Sequence, residues 1–264
     1  MNCVEINGVL IHYIFIGHPV AEKMNTTFVF INSLGTDFRI WEDVVGLLRE
    51  YGNILLFDKR GHGLSAEVNS HNGLNDFAKD LLGLLEYLSI DKCIPVGLSV
   101  GGMIAQLVAF QKPSIVDKLV LCDTCFKVGN EPAWNERIGE IKEKGIAAIS
   151  GGVIQRWFSE QFTKENPARV ACYTNMLKRT PVSGYIQTCA AIRDADLTAE
   201  AKQIKIKTLC VVGSEDKSTL PGEVKALAEL IEGARFEVIE GSGHIPCVDN
   251  PTALSKLIID FINE

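Results

Sequence analysis

No run of lysine or arginine appears in the 264 residues, and 33 acidic against 26 basic residues give a formal net charge of −7. That balance argues against a nucleic-acid-binding surface, because phosphate contact needs clustered positive charge. Tags, repeats and low-complexity tracts are also missing. The opening MNCVEINGVLIHY has neither a basic n-region nor an apolar h-region, so a secretory signal is not expected and a cytoplasmic protein is. Charge is lacking altogether from Cys93 to Gln111, a stretch close to the ~20 apolar residues that a bilayer demands. Pro95, Gly97, Gly101 and Gly102 break that stretch, and a helical pattern (Met103, Ile104, Leu107, Val108) begins only afterwards. A buried strand followed by a buried helix accounts for the same apolarity without a membrane.

Disulfide chemistry is not expected either. The eight cysteines are scattered through a long chain without an export signal. Cys122 and Cys125 form a CxxC, yet no second CxxC or paired histidines accompany it, so the reading is of reduced thiols filling small apolar gaps, with no metal site.

What is present is an ordinary globular composition, 47% hydrophobic and 22% charged, at a length suited to one α/β domain. VEINGVLIHYIF reads as two strands joined at Asn7-Gly8, the residue pair of a type I′ hairpin. Strand patterns then alternate with helical ones: TTFVFIN (26–32), NILLFD (53–58), CIPVG, DKLVLCD (117–123), TLCVVG (208–213) and RFEVIE (235–240). Continuous apolar strands alternating with helices predict a mostly parallel sheet of about eight strands, covered on both faces. From about Lys127 to Asp196 the alternation stops and the text turns helical and irregular. The expected organisation is a core of residues 1–126 and 197–264, with 127–196 inserted after the sixth strand as a helical cap, or lid.

In such a sheet ligands gather at the carboxyl ends of the strands, and GLSVG places Ser99 where CIPV gives way to its helix. A sharp strand-to-helix turn strains the serine backbone and brings its neighbours against other backbone, which calls for glycine at 97 and 101. The hydroxyl then stands at a helix N-terminus, where the dipole favours developing negative charge. A serine needs a base to take its proton and an acid to hold that base. His244 follows the last strand in EGSGHIP, and Asp216 follows TLCVVG in GSEDKSTLP, giving the chain order Ser99, Asp216, His244 of the serine-elbow arrangement. Asp123, after KLVLC, is the rival acid; Asp216 is preferred. Among the other histidines, His12 lies in the hairpin, His18 and His71 lie in polar loops, and His62 reads as a turn residue near the pocket rim. Two backbone donors are expected for an oxyanion: Val100 N–H from the elbow, and Leu34 N–H from the loop after TTFVFIN.

Together, INSLGTDFRIW, FDKRGHGLS, GLSVGGMIAQ, VLCDT, GYIQTCAAIRDADL and GSEDKSTLP resemble the α/β-hydrolase fold, and more closely its 3-oxoadipate enol-lactonase family, over nearly the whole chain. Asn32-Ser33 departs from the His-Gly common at that loop in hydrolases generally. The resemblance implies opening of an enol-lactone ring in the breakdown of protocatechuate or catechol, through an acyl-enzyme, with no metal or organic cofactor. The partner it implies is a small anionic lactone; neither nucleic acid nor membrane is a partner. Its carboxylate requires a cation in or near the cap; Arg137, Arg179 and Arg193 are the candidates, with Trp134 as an aromatic wall. The alternatives are a carboxylesterase or carbon-carbon bond hydrolase acting on another small acid, and a hydrolase-fold receptor that signals by cap closure. Dehalogenase and epoxide-hydrolase chemistry is disfavoured because it needs an aspartate where Ser99 stands.

Overall fold

The computed structural model describes residues 1–18, 26–68 and 72–264; His71 lies outside them. Asn7 and Gly8 both take positive φ, 51° and 76°, as a type I′ turn requires. They join β1 (Asn2–Ile6) to β2 (Val9–Ile16) in an antiparallel hairpin. The remaining strands are β3 (Thr27–Ile31), β4 (Asn53–Phe57), β5 (Cys93–Leu98), β6 (Leu119–Cys122), β7 (Thr208–Gly213) and β8 (Arg235–Ile239). They form one eight-stranded sheet in the order β1-β2-β4-β3-β5-β6-β7-β8. From β4 through β8 every neighbouring pair is parallel, and β2 joins β4 antiparallel.

The strands β3, β5, β6 and β7 are buried at every position. Helices on both faces leave no polar side to such strands, which is why they read as unbroken apolar runs. The helices α1 (Glu42–Leu48) and α12 (Pro251–Ile262) pack on each other, and α2 (Leu74–Tyr87) and α3 (Val100–Gln111) likewise pack together. The helix α3 is buried from Val100 through Ala109, so the uncharged stretch belongs to the core, and no helix among the described residues is long and apolar enough to cross a membrane.

Between β6 and β7 lie α4 (Glu131–Lys144), α5 (Ile146–Trp157), α6 (Glu160–Glu165), α7 (Pro167–Lys178) and α8 (Val182–Arg193). The pattern WNERIGEIKEKGIAAI, which reads as one helical stretch, is split at Gly145, whose φ of 75° ends α4 and redirects the chain into α5. The chain then passes through α9 (Thr198–Ala201), α10 (Pro221–Leu230) and α11 (Pro246–Asp249). Because the strands from β4 onward run in one direction, the loops that follow β3, β5, β6, β7 and β8 emerge along one edge of the sheet. Ser99, Asp123, Asp216, His244 and the 32–37 turn all belong to those loops.

Candidate active site

Ser99 sits at φ 58°, ψ −121° at the junction of β5 and α3, a region that costs a non-glycine residue ~1–3 kcal/mol. Surrounding bonds hold it there: Ser99 N–H donates to the Cys122 carbonyl at 2.9 Å, and the Thr124 hydroxyl donates to the Ser99 carbonyl at 2.6 Å. The flanking glycines have the steric reason that the sequence suggested. A Cβ at Gly97 would stand 2.4 Å from the Gly101 carbonyl oxygen, and one at Gly101 would stand 2.1 Å from that of Ile31. Both obstacles are backbone, so neither can swing aside.

His244 and Asp216 are both 3% exposed. The imidazole Nδ1 lies 2.8 Å from Asp216 Oδ2, while Asp216 Oδ1 accepts the N–H groups of Ser218 and Thr219 at 2.7 and 3.0 Å. With every Asp216 oxygen in use, the carboxylate is rigid, and Nδ1–H donating to it leaves Nε2 as the basic nitrogen. The His244 loop is itself anchored: Asp249 accepts from Gly243 N–H and from both the N–H and hydroxyl of Ser159, and Ile245 N–H donates to the Trp157 carbonyl. Ser99 and His244 open onto the same cavity, about 740 Å³ in volume.

Asp123 is close but held by different contacts. It is fully buried at φ 47°; its Oδ1 accepts Gly213 N–H at 2.9 Å and its Oδ2 has no partner among the described residues. One oxygen of Asp123, one of Asp216 and a ring nitrogen of His244 lie within 4.8 Å of one another. Burial, and then the Asp216 charge, push the Asp123 carboxyl well above the usual range, which favours its neutral form beside Asp216. Three such groups have the makings of a metal site, but a neutral acid and a carboxylate already committed to Nδ1 and two amides make a poor donor set.

Leu34 and Val100 line the cavity as well. Val100 opens α3, so its N–H has no intrahelical acceptor. In the 33–36 turn, Thr36 N–H returns to the Ser33 carbonyl and Gly35 N–H donates to His62 Nε2 at 3.1 Å, whereas Leu34 N–H has no acceptor among the described residues. His62 is fully buried and does not line the cavity; burial, reinforced by Lys59, holds it well below its ordinary pKa, so it serves the turn as a neutral acceptor. His12 is likewise occupied, with Nδ1 2.8 Å from Asp58.

Of the four side chains considered for the substrate, Trp134 and Arg137 line the cavity, while Arg179 and Arg193 do not. Arg193 spends its guanidinium on Asp194 and Asn135, and Arg179, exposed, ends α7. The Arg137 guanidinium lies 5.4 Å from the ring centroids of both Trp134 and Tyr185, donates to the Tyr185 hydroxyl, and keeps a buried Nε without a partner among the described residues. Arg156 was not singled out in the sequence, yet it lines the same cavity. Burial and the neighbouring Arg137 charge hold its pKa down, the mark of two cations sharing one space. Glu136, Glu140 and Glu223 also reach the lining, with Glu223 held by Leu220 N–H.

The alpha/beta hydrolase family model matches residues 28–257. The chain is 30% identical over 234 residues to 3-oxoadipate enol-lactonase 1 of Acinetobacter baylyi, covering 89% of this chain and 87% of that one. To 3-oxoadipate enol-lactonase 2 of the same organism it is 28% identical over 230 residues, covering 87% and 86%. Among solved structures, the enol-lactonase from Burkholderia xenovorans superposes with a TM-score of 0.95 at 30% identity over the full length of both chains. A hydrolase from Pseudomonas aeruginosa gives 0.92 at 27% identity, covering 100% of this chain and 98% of that one. The serine elbow on a parallel sheet and these likenesses lead to one conclusion: the chain belongs to the α/β-hydrolase superfamily and, within it, to the 3-oxoadipate enol-lactonase family.

Proposed function

We propose that this hydrolase opens the lactone ring of 3-oxoadipate enol-lactone to give 3-oxoadipate, with Ser99 as nucleophile, His244 as general base and acid, and Asp216 as the orienting acid. The observation that carries the reading is the joining, in one cavity, of a strained serine, a histidine bonded through Nδ1 to a buried aspartate, and a pair of guanidiniums.

The chemistry follows from that arrangement. His244 Nε2 takes the Ser99 proton as the oxygen attacks the lactone carbonyl, and the oxyanion rests on Leu34 and Val100 N–H, each such donor contributing ~3 kcal/mol in the transition state. Collapse of the tetrahedral intermediate breaks the ring C–O bond as His244 returns its proton to the departing enol oxygen; that enol stays tethered to the acyl group and is able to re-close the ring, and ketonisation removes that possibility. Water, deprotonated by His244, then attacks the Ser99 ester and releases the keto dicarboxylic acid. No step needs a metal or organic cofactor.

The substrate carboxylate belongs with Arg137 and Arg156, on the α4 and α5 side of the cavity, and Trp134 supplies an apolar wall. The segment 127–196 thereby acts as a lid whose contribution is substrate recognition, while the sheet edge contributes catalysis. The test is loss of the enol-lactone's ultraviolet absorbance with purified protein beside Ser99→Ala. Turnover by wild type and its near-complete loss in the variant are expected; wild-type protein that hydrolyses other small esters but leaves the enol-lactone untouched would refute the substrate assignment.

A further inference from the structure

Lys59 follows β4 in DKRGHG and is only 1% exposed. A buried ammonium is costly, and an apolar side chain of similar length would fill the space without that cost. Its bonds show where the charge is directed. The Nζ donates to the Ser33 carbonyl at 2.6 Å and approaches the Thr36 carbonyl at 3.5 Å, whereas no ion pair joins it to Asp58 or Asp37 among the described residues.

The Ser33 carbonyl belongs to the same peptide unit as the Leu34 N–H. No peptide bond among the described residues is cis, so that C=O and that N–H point in opposite directions. Tethering the oxygen on the Lys59 side turns the N–H the other way. Three donors meet on this oxygen: Lys59 Nζ at 2.6 Å, the Thr36 hydroxyl at 2.9 Å and Thr36 N–H at 3.4 Å. When Lys59 is protonated its bond to this oxygen is charge-assisted, and such bonds are about twice as strong as neutral ones; drawing electron density toward the carbonyl oxygen makes the N–H of the same unit a better donor.

We propose that Lys59 is the positioning residue of the oxyanion site, aiming and polarising the Ser33–Leu34 peptide so that Leu34 N–H meets the developing negative charge. It touches neither substrate nor Ser99, and it does not line the cavity. It takes the place of local rigidity in a turn that begins Asn32-Ser33, and His62 and Asn32 brace the remainder of that turn through Gly35 N–H and the Thr36 carbonyl.

The inference rests on the reading of Leu34 N–H as an oxyanion donor in a hydrolytic site, and the test keeps the two apart. Wild type, K59M and K59Q would be compared for kcat and KM on p-nitrophenyl acetate and on the enol-lactone, and for affinity toward phenylboronic acid, which forms a tetrahedral serine adduct. Removing an oxyanion donor outright costs ~10²–10³ in kcat; weakening one through K59M should cost about 10–100-fold, with KM within about twofold. Boronate affinity should fall in parallel with kcat. K59Q keeps a neutral donor and should lie between the two. Folding of each variant would be checked by thermal unfolding, and K59Q supplies the kinetic result if K59M does not fold. Activity and boronate affinity unchanged in the folded variants, or KM and kcat altered equally, would overturn the role of Lys59 while leaving the hydrolase reading intact. Wild type that hydrolyses only p-nitrophenyl acetate would overturn the substrate assignment alone, and wild type inert toward both esters and the boronate would overturn both.

Discussion

Asp216→Asn should remove nearly all activity, whereas Asp123→Asn should leave most of it, although the two carboxyls belong to one buried cluster. Oxygens of Asp123 and Asp216 lie no more than 4.8 Å apart; two ionised groups at that distance would repel by about 3.5 kcal/mol or more at an effective dielectric of about 20. That repulsion favours keeping one proton in the pair, and burial together with the Asp216 charge favours Asp123 as its holder. An amide at 123 has the shape and charge of that protonated acid. Its oxygen still accepts from Gly213 N–H, and its NH₂ replaces the lone Oδ2 as a donor toward Asp216. The expected loss in kcat/KM is within about tenfold, or ~1.4 kcal/mol. At Asp216 the same change puts an amide against His244 Nδ1 and favours the wrong tautomer, a fault worth ~10⁴ in kcat in serine triads.

Stability supplies an independent reading. A carboxyl whose folded pKa lies above its unfolded value contributes stability at low pH that is lost as pH rises through the folded pKa. The amide does not titrate. Asp123→Asn should therefore be more stable than wild type at neutral pH, with the difference shrinking toward pH 4. The assays are kcat/KM on the enol-lactone and unfolding midpoints across pH. If Asp123→Asn proves as damaging as Asp216→Asn, or loses stability at neutral pH, the protonation state assigned to the pair is wrong.

Gly101→Ala puts a Cβ 2.1 Å from the Ile31 carbonyl oxygen, and relief requires the elbow to move away from the turn that carries Leu34. A shift near 1 Å costs ~10²-fold in rate, so kcat should fall about that far and the unfolding temperature should drop; an unchanged kcat would contradict the elbow geometry. Arg137→Ala should raise KM for the enol-lactone about 10–100-fold, as expected for a lost charged hydrogen bond, with p-nitrophenyl acetate unaffected; equal effects on both esters would remove Arg137 from carboxylate recognition. Burial lowers Lys59 from its ordinary 10.5 to about 7, so between those limits the unfolded chain binds the extra proton and wild-type stability rises with pH, by at most ~5 kcal/mol. In K59M that rise should vanish, and urea unfolding of both proteins at pH 7 and 9.5 checks it.

The parts of this fold that lie in one strand or one turn were readable in the sequence. The hairpin at Asn7-Gly8, the strand at 208–213 and the glycines around Ser99 each depend on local backbone requirements that leave a residue signature. So does the order of the serine, the acid and the base. Lys59 left no such mark: a lysine after a strand reads as solvated, and only the return of the 33–36 turn over it makes it a buried donor. Arg156 was missed for a related reason, since whether that face of α5 looks inward depends on the break at Gly145. Arg193 shows the converse. It stands in a segment that matches the family, but Asp194, its neighbour in the chain, takes the guanidinium and points it elsewhere. The 3₁₀ turn Phe38–Trp41 ahead of α1 was likewise hidden, because its Asp37 cap and buried Trp41 merge with the helical pattern that follows.

Activation of Ser99 by the His244–Asp216 pair is measured by labelling wild-type and His244→Ala protein with a fluorophosphonate, followed by peptide mass mapping. One equivalent on the peptide bearing Ser99 at that residue, formed at least a hundredfold more slowly in the variant, is the result expected. Label on another residue, or equal rates in the two proteins, would contradict it.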